Sequence, residues 1–289
     1  MDYFHSLIHY DEVYINNNNF INLYEITKNN KDLFKIFLNN LKKDKLLTSL
    51  SIPSNVFCHK NINEVIDVLS KNKNFKELKI SFNPSFKLKY IKSLNNLKNK
   101  NKNIYMIFYF LNKNIQKNQD LLIFLKTHLI DEIYINYSML PKLTNELIEN
   151  NKITNLYFFD ENLNIDCTLI KSFQKNTYIK RLDFSLCNNI TSIESLQEII
   201  QNNTTINIID LSKKIIDPLL IFDIMHNKNN ITTLILDDCK IKDPLPFIQI
   251  IRDNNQLIKL SLVNNPIENV EYLISEVENN VDRYFDLTI

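Results

Sequence analysis

The chain contains no glycine among its 289 residues. That absence removes the phosphate-cradling Walker loop and the dinucleotide fingerprint, both of which need a backbone that approaches phosphate without a Cβ in the way. Cysteine is scarce: Cys58, Cys167, Cys187 and Cys239 are spread widely, with no Cys-x-x-Cys pair and no Cys/His ligand spacing. Such usage suits a reducing compartment, and a cytoplasmic location is expected. An excess of either charge is also missing, with 34 basic against 33 acidic residues and a net of +1. A protein that tracks nucleic-acid phosphates normally carries a strong basic excess, so nucleic acid is not expected as a partner. The longest apolar run, residues 104–111, is too short to span a bilayer. The first twenty residues include His5, His9, Asp2, Asp11 and Glu12, which excludes a signal-peptide core, and no membrane partner is expected.

The same scarcity extends to chemistry. His5, His9, His59, His128 and His226 share no metal-ligand spacing. Cys58 and His59 are adjacent, which turns their side chains apart, and no third group is placed to orient them as nucleophilic catalysis requires. Asp237 and Asp238 lack the spaced set of oxygen ligands that a cation site needs. No catalytic, metal or cofactor site is expected, and the protein is read as a non-enzyme.

What is present is a repeat. The composition is 44% hydrophobic and 11% aromatic, enough for a continuous core. Residues 231–241 (ITTLILDDCKI) and 257–267 (LIKLSLVNNPI) share one skeleton: apolar, two variable, apolar, one variable, apolar, two variable, then Asn or Cys. The same skeleton recurs upstream, and its fourth position is held by Val13, Leu50, Leu78, Ile107, Ile133, Leu156, Leu182, Ile209, Leu234 and Leu260, with an incomplete last copy at Leu287. After a first gap of 37 residues the spacings run from 23 to 29. Between the copies lie short stretches with apolar residues three and four apart, as in INEVIDVLS (62–70), SLQEIIQ (195–201), PLPFIQII (244–251) and VEYLISEVE (270–278), which predicts one-sided helices. The long first gap contains KDLFKIFLNNLKKD (31–44), predicted as a longer helix.

A strand and a helix every two dozen or so residues resembles the leucine-rich-repeat superfamily, in its ribonuclease-inhibitor-like class. The resemblance implies an α/β solenoid, a horseshoe with a parallel sheet on the concave side and helices on the convex side. It covers the chain as a single domain over 1–289, with an atypical capping repeat at 1–46, regular repeats over 47–266 and a C-terminal repeat or cap over 267–289. Because the repeats take up the chain, no appended ubiquitin-ligase domain is expected. In that family the ninth position holds Asn or Cys inside the turn after the strand. Here it holds Asn18, Asn55, Asn83, Asn112, Cys187, Cys239 and Asn265, and departs from the pattern at Ser138, Glu161 and Lys214. The charges of Glu161 and Lys214 are expected to turn outward, because burial without a partner is costly. With no glycine to end the helices, the doublets at 150–151, 202–203, 229–230, 254–255 and 279–280 are expected to supply asparagines in the left-handed conformation. The Asn- and Lys-rich composition also resembles leucine-rich-repeat effectors of intracellular bacteria such as Legionella, which implies secretion into a host cytosol.

Alternate strand residues face opposite sides, so positions three, five, seven and eight map a concave surface. That surface is predicted to carry an aromatic patch of Phe82, Met106, Phe108, Phe110, Tyr134, Tyr137, Tyr157 and Phe159. Beside it runs a stripe of acids, Asp160, Asp183, Asp210, Asp237 and Asp238, with Arg181 alongside. Exposed apolar patches mark interaction sites, and an acidic stripe steers a basic partner. The expected function is a non-catalytic module, monomeric when free, that docks a protein on this face. One form is inhibition of an enzyme that has a basic patch near its active site; the alternative is a passive scaffold or regulatory subunit.

Overall fold

Strand periodicity puts the fourth and sixth repeat positions on one face, and those positions are apolar in nearly every copy. In a computed structural model of the protein, the described residues are 12–15, 19–22, 31–43, 45–53, 62–81, 89–110, 123, 125–126, 130–136, 150, 152–159, 162–164, 173–191, 195–226, 230–280 and 284–289. The first elements are β1 (Glu12–Ile15), β2 (Asn19–Asn22), α1 (Lys31–Lys43), β3 (Ser49–Pro53), α2 (Ile62–Lys71), β4 (Glu77–Ser81), α3 (Lys89–Lys100), β5 (Tyr105–Phe110) and β6 (Glu132–Asn136). Then come β7 (Asn155–Phe159), β8 (Asn162–Asn164), β9 (Arg181–Asp183), β10 (Asn189–Thr191), α4 (Ser195–Asn202), β11 (Ile208–Asp210), α5 (Pro218–His226), β12 (Thr233–Ile235), α6 (Leu245–Asp253), β13 (Lys259–Ser261), α7 (Val270–Asn280) and β14 (Asp286–Thr288). Ten strands form one parallel sheet in chain order, while β8 and β10 pair with each other apart from it. The chain divides into two compact units, Met1–Tyr134 and Ile135–Ile289.

In the second unit Leu156, Leu182, Ile209, Leu234, Leu260 and Leu287 are register partners on successive parallel strands. The first five are at most 2% exposed. Their sixth-position companions Phe158, Phe184, Leu211, Leu236 and Leu262 are at most 1% exposed. Burying each such side chain contributes roughly 1.5–3 kcal/mol, so the row forms a continuous apolar seam that no single repeat could close alone. Helices α4 to α7 complete the core with residues such as Leu196, Ile199, Ile224, Phe247 and Leu273. In the first unit Leu50 and Leu78 pair in the same way, and α1 and α2 bury Phe34, Phe37, Val65 and Leu69. Parallel strands joined through helices, with one inward apolar row, make this an α/β leucine-rich-repeat solenoid.

Ninth-position side chains close the turns after the strands. Asn265 donates through Nδ2 to the carbonyls of Leu236 and Leu262, both at 2.8 Å, and its Oδ1 accepts from the amides of Cys239 and Ile241 at 2.9 and 3.0 Å. The Cys239 thiol donates to the Leu211 carbonyl at 3.3 Å, and burial pushes its pKa up to about 11, so the thiol stays protonated. Lys214 corrects the expectation. It is 4% exposed and turns inward, its Nζ donating to the carbonyls of Ser185 at 3.3 Å and Ser212 at 2.9 Å. The ammonium fills the donor role that an Asn amide fills elsewhere, and the carbonyls offset its desolvation. Burial nonetheless holds its pKa below the usual lysine value. Asn18, Asn55, Asn83, Asn112, Ser138 and Glu161 lie outside the described residues.

Three further expectations are revised. Val13 is not on the parallel sheet: β1 pairs antiparallel with β2, Val13 opposite Ile21 and Tyr14 opposite Phe20. An antiparallel partner a few residues away closes without the crossover a parallel strand requires. On β5 the register is displaced by one, with Met106 and not Ile107 opposite Leu78. A one-residue slip exchanges the faces of a strand. It sends Met106, Phe108 and Phe110 inward, all at 0% exposure, and leaves the two tyrosines Tyr105 and Tyr109 on the other face, where a hydroxyl can find a polar partner.

The asparagine doublets do not adopt the left-handed conformation at any described position. Positive φ occurs instead at Lys213, Asp238, Lys240, Asn264 and Asn269, and Asn254 sits at φ −96° and ψ 95°. The asparagines act through their side chains. In Asn150, Asn176, Asn203 and Asn254, Oδ1 accepts from the backbone amides two and three residues on, at 2.7 to 3.1 Å. Their Nδ2 groups reach back one repeat: Asn203 donates to the Asn176 carbonyl at 2.8 Å and Asn254 to the Met225 carbonyl at 3.1 Å. This second ladder satisfies helix-end carbonyls that a glycine cap would otherwise satisfy.

Candidate functional site

The open face of the sheet, opposite the core, is built from the strand residues that alternate with the inward row. In the first unit it holds Ser49, Glu77, Lys79, Tyr105, Ile107, Tyr109, Glu132 and Tyr134. Tyr109 and Tyr134 stack with ring centroids 4.4 Å apart and planes 19° apart. Tyr105 donates its hydroxyl to Glu132 at 3.1 Å, and Ser49 donates to Glu77 at 2.7 Å. Tyr109 and Ile107 are only 6% and 5% exposed, because their neighbours along the sheet cover them. Burial, and then the charges of Glu132 and Glu77, push the Tyr109 pKa up to about 12. The Ser81 hydroxyl, register partner of Tyr109, is buried without a hydrogen-bond partner.

In the second unit the face is organised around Arg181. Its guanidinium reaches Asp183 at 2.7 Å and Asp210 at 2.8 Å, and lies 5.3 Å from the centroid of the Tyr157 ring. The two carboxylates are paired because Asp183 and Asp210 are register partners on adjacent strands. Each is tied from its other oxygen: Asp183 accepts from the Ser185 amide at 3.0 Å and hydroxyl at 2.6 Å, and Asp210 from those of Ser212 at 3.1 and 2.7 Å. Burial, then the charge of Asp183, push the Asp210 pKa up to about 6 against the pull of Ser212 and Arg181. One cation therefore serves two carboxylates. Arg181 keeps 24% of its side chain exposed; half-buried Ile208 is its register partner on β11, and half-buried Ile235 stands one strand further, opposite Asp210.

Tyr134 and Tyr157 are half-buried on the open face, as is Arg181. Phe159, on the same strand face as Tyr157, is 7% exposed and so offers little area to a partner. Met106, Phe108 and Phe110 belong to the core because of the register displacement on β5. The acids do not form one solvated stripe: Asp183 and Asp210, at 3% and 7% exposure, are spent on Arg181 and two serines. Half-buried Asp237 lies in another column, where Oδ1 accepts from the Ser261 hydroxyl at 2.6 Å and the Val263 amide at 2.9 Å. Asp238 is exposed at a positive φ of 58°. Phe82, Tyr137 and Asp160 lie outside the described residues. Sequence reasoning missed Tyr105, Tyr109 and Glu132, and passed over the Asp-x-Ser pattern at 183–185 and 210–212, which was readable as a repeat within the repeat.

Among the described residues no group of three or more His, Cys, Asp and Glu side chains could hold a metal, and no helix is long and apolar enough to cross a membrane. No protein-family model and no curated protein matches the chain. Among solved structures it is similar to a chain in the crystal structure of the Rad7 and Elc1 complex in yeast. The identity is 12% and the TM-score 0.40, over 86% of this chain and 77% of that one. The strand register and the side-chain ladders define the fold.

Proposed function

We propose that this protein is a non-catalytic module that binds another protein on the open face of its sheet, centred in the second unit on Tyr157 and Arg181. The observation that carries the reading is the fixed guanidinium. Asp183 and Asp210 hold Arg181 over the Tyr157 ring, so the side chain meets a partner already ordered. Arg and Tyr dominate binding hot spots, and an ordered side chain loses less entropy on association. Ile208 and Ile235 add apolar area on the same face. The excess of 21 acidic over 14 basic residues in the second unit favours a basic patch in the partner. In its finer form the module covers the active site of an enzyme that carries such a basic patch. The compositional resemblance to effectors of intracellular bacteria extends the proposal to action in a host cytosol.

The test is affinity capture from host and source-cell lysates with wild type, Tyr157→Ala, Arg181→Ala and, as a control on an exposed helix position, Gln201→Ala. A protein held by wild type and the control but lost with both site variants is the expected result. Retention of every captured protein by the site variants overturns the hot spot. Loss of catalytic activity in the purified complex separates inhibition from scaffolding.

A further inference from the structure

The net charge of +1 conceals a division within the chain. Met1–Tyr134 has 20 lysines and no arginine against 12 acidic residues, a net of +8, which leaves Ile135–Ile289 with 14 basic and 21 acidic residues, a net of −7. In the first unit a groove of about 640 Å³ runs between α1 and α2 and the turns that follow them. Leu41 and Val68 lie in its lining, and Lys42, Lys45, Lys71 and Lys73 surround them, all four exposed. None of the four makes an ion pair among the described residues, whereas Lys98 and Lys100 of the next repeat are spent on Asp131 and Asp67. Leu46 stands beside Lys45 with 79% of its surface exposed.

We propose that this groove binds an acidic protein segment that places an apolar side chain between its carboxylates. Four ammonium groups without an ion pair call for an anionic occupant; the carboxylate of Asp67 is already committed to Lys100, and the charge of Lys71 bears on it only at longer range. The lining separates a peptide from a nucleic acid. Single-stranded nucleic acid is held by aromatic stacking and by planar arginines, and among the described residues no aromatic or arginine lines this groove. Half-buried Val68 has no use for a phosphate backbone but offers apolar surface to a leucine or valine side chain, whereas Leu41, at 2% exposure, belongs to the core behind the lining. Glu64, also in the lining, repels a uniform run of phosphates yet tolerates a peptide amide. The site is separate from Arg181, so the two proposals stand or fall independently.

Fluorescence anisotropy on the full chain tests it with three labelled probes: a Glu-Glu-Leu repeat peptide, its Glu-Glu-Ser counterpart and oligouridylate. The leucine peptide is expected to bind about tenfold or more tighter than the serine peptide, the worth of one buried apolar side chain. Lys42→Glu with Lys71→Glu, and separately Lys45→Gln with Lys73→Gln, should each weaken it by about tenfold or more, while Arg181→Ala leaves it unchanged. The proposal is overturned if oligouridylate binds as tightly as the leucine peptide, if serine replaces leucine without loss, if both lysine variants bind like wild type, or if no probe binds.

Discussion

Replacing Asn203 by Ala probes the ladder that the asparagine doublets build. The side chain is 3% exposed and serves four backbone groups. Its Nδ2 donates to the carbonyls of Phe173 and Asn176, and its Oδ1 accepts from the amides of Thr205 and Ile206, both at 2.8 Å. A buried polar group left without a partner costs about 1–3 kcal/mol. Alanine orphans four, and water entering the vacated space re-satisfies about half, so roughly 3 kcal/mol of stability should be lost. Its neighbour Asn202 is the internal control: exposed at the end of α4, it makes one bond, from Nδ2 to the Glu198 carbonyl at 2.9 Å. Asn202→Ala should change stability by less than about 0.5 kcal/mol. Asn203→Asp keeps the acceptor for Thr205 and Ile206 but faces a carboxylate at two carbonyls, so it should cost at least as much as alanine. Urea unfolding of the three variants gives the stabilities, and amide exchange at Thr205 and Ile206 shows where the loss occurs. Equal unfolding midpoints for Asn203→Ala and Asn202→Ala would refute the assignment of a structural ladder to these side chains.

Two other consequences are direct. Phe108→Ala should cost about 3–5 kcal/mol because it empties a fully buried site, whereas Ile107→Ala, at 5% exposure on the open face, removes a smaller side chain that water can partly replace and should cost less, about 2 kcal/mol. Urea midpoints in the reverse order would restore Ile107 as the inward residue. Asp210 has a folded pKa of about 6, above its ordinary 3.8. The native state therefore binds more protons than the unfolded chain between those values, and stability falls as pH rises through that window, by up to about 3 kcal/mol. Asp210→Asn removes that slope, so its urea midpoint should gain on wild type between about pH 4 and about pH 7. A constant difference across that range would contradict the reading.

The sequence alone determined the repeat, because a strand that buries one face every two dozen or so residues must write an apolar residue at the same place each time. Leu156, Leu182, Ile209, Leu234 and Leu260 were legible for that reason and lie on adjacent strands in register. It also fixed the class of the ninth-position turns through Cys239 and Asn265. Three things depended on neighbours that a linear pattern does not contain. The face of β5 was ambiguous, since YMIFYF is apolar at every position, and only the pairing of Met106 with Leu78 chose which aromatics enter the core. Lys214 looked like a misfit until the carbonyls of Ser185, a repeat away, came within reach of its Nζ. The acids of the open face read as a free stripe, but parallel register set Asp183 beside Asp210 and closed both on Arg181. Periodicity is a property of the chain, whereas which charges are spent and which remain free is decided by the strands on either side.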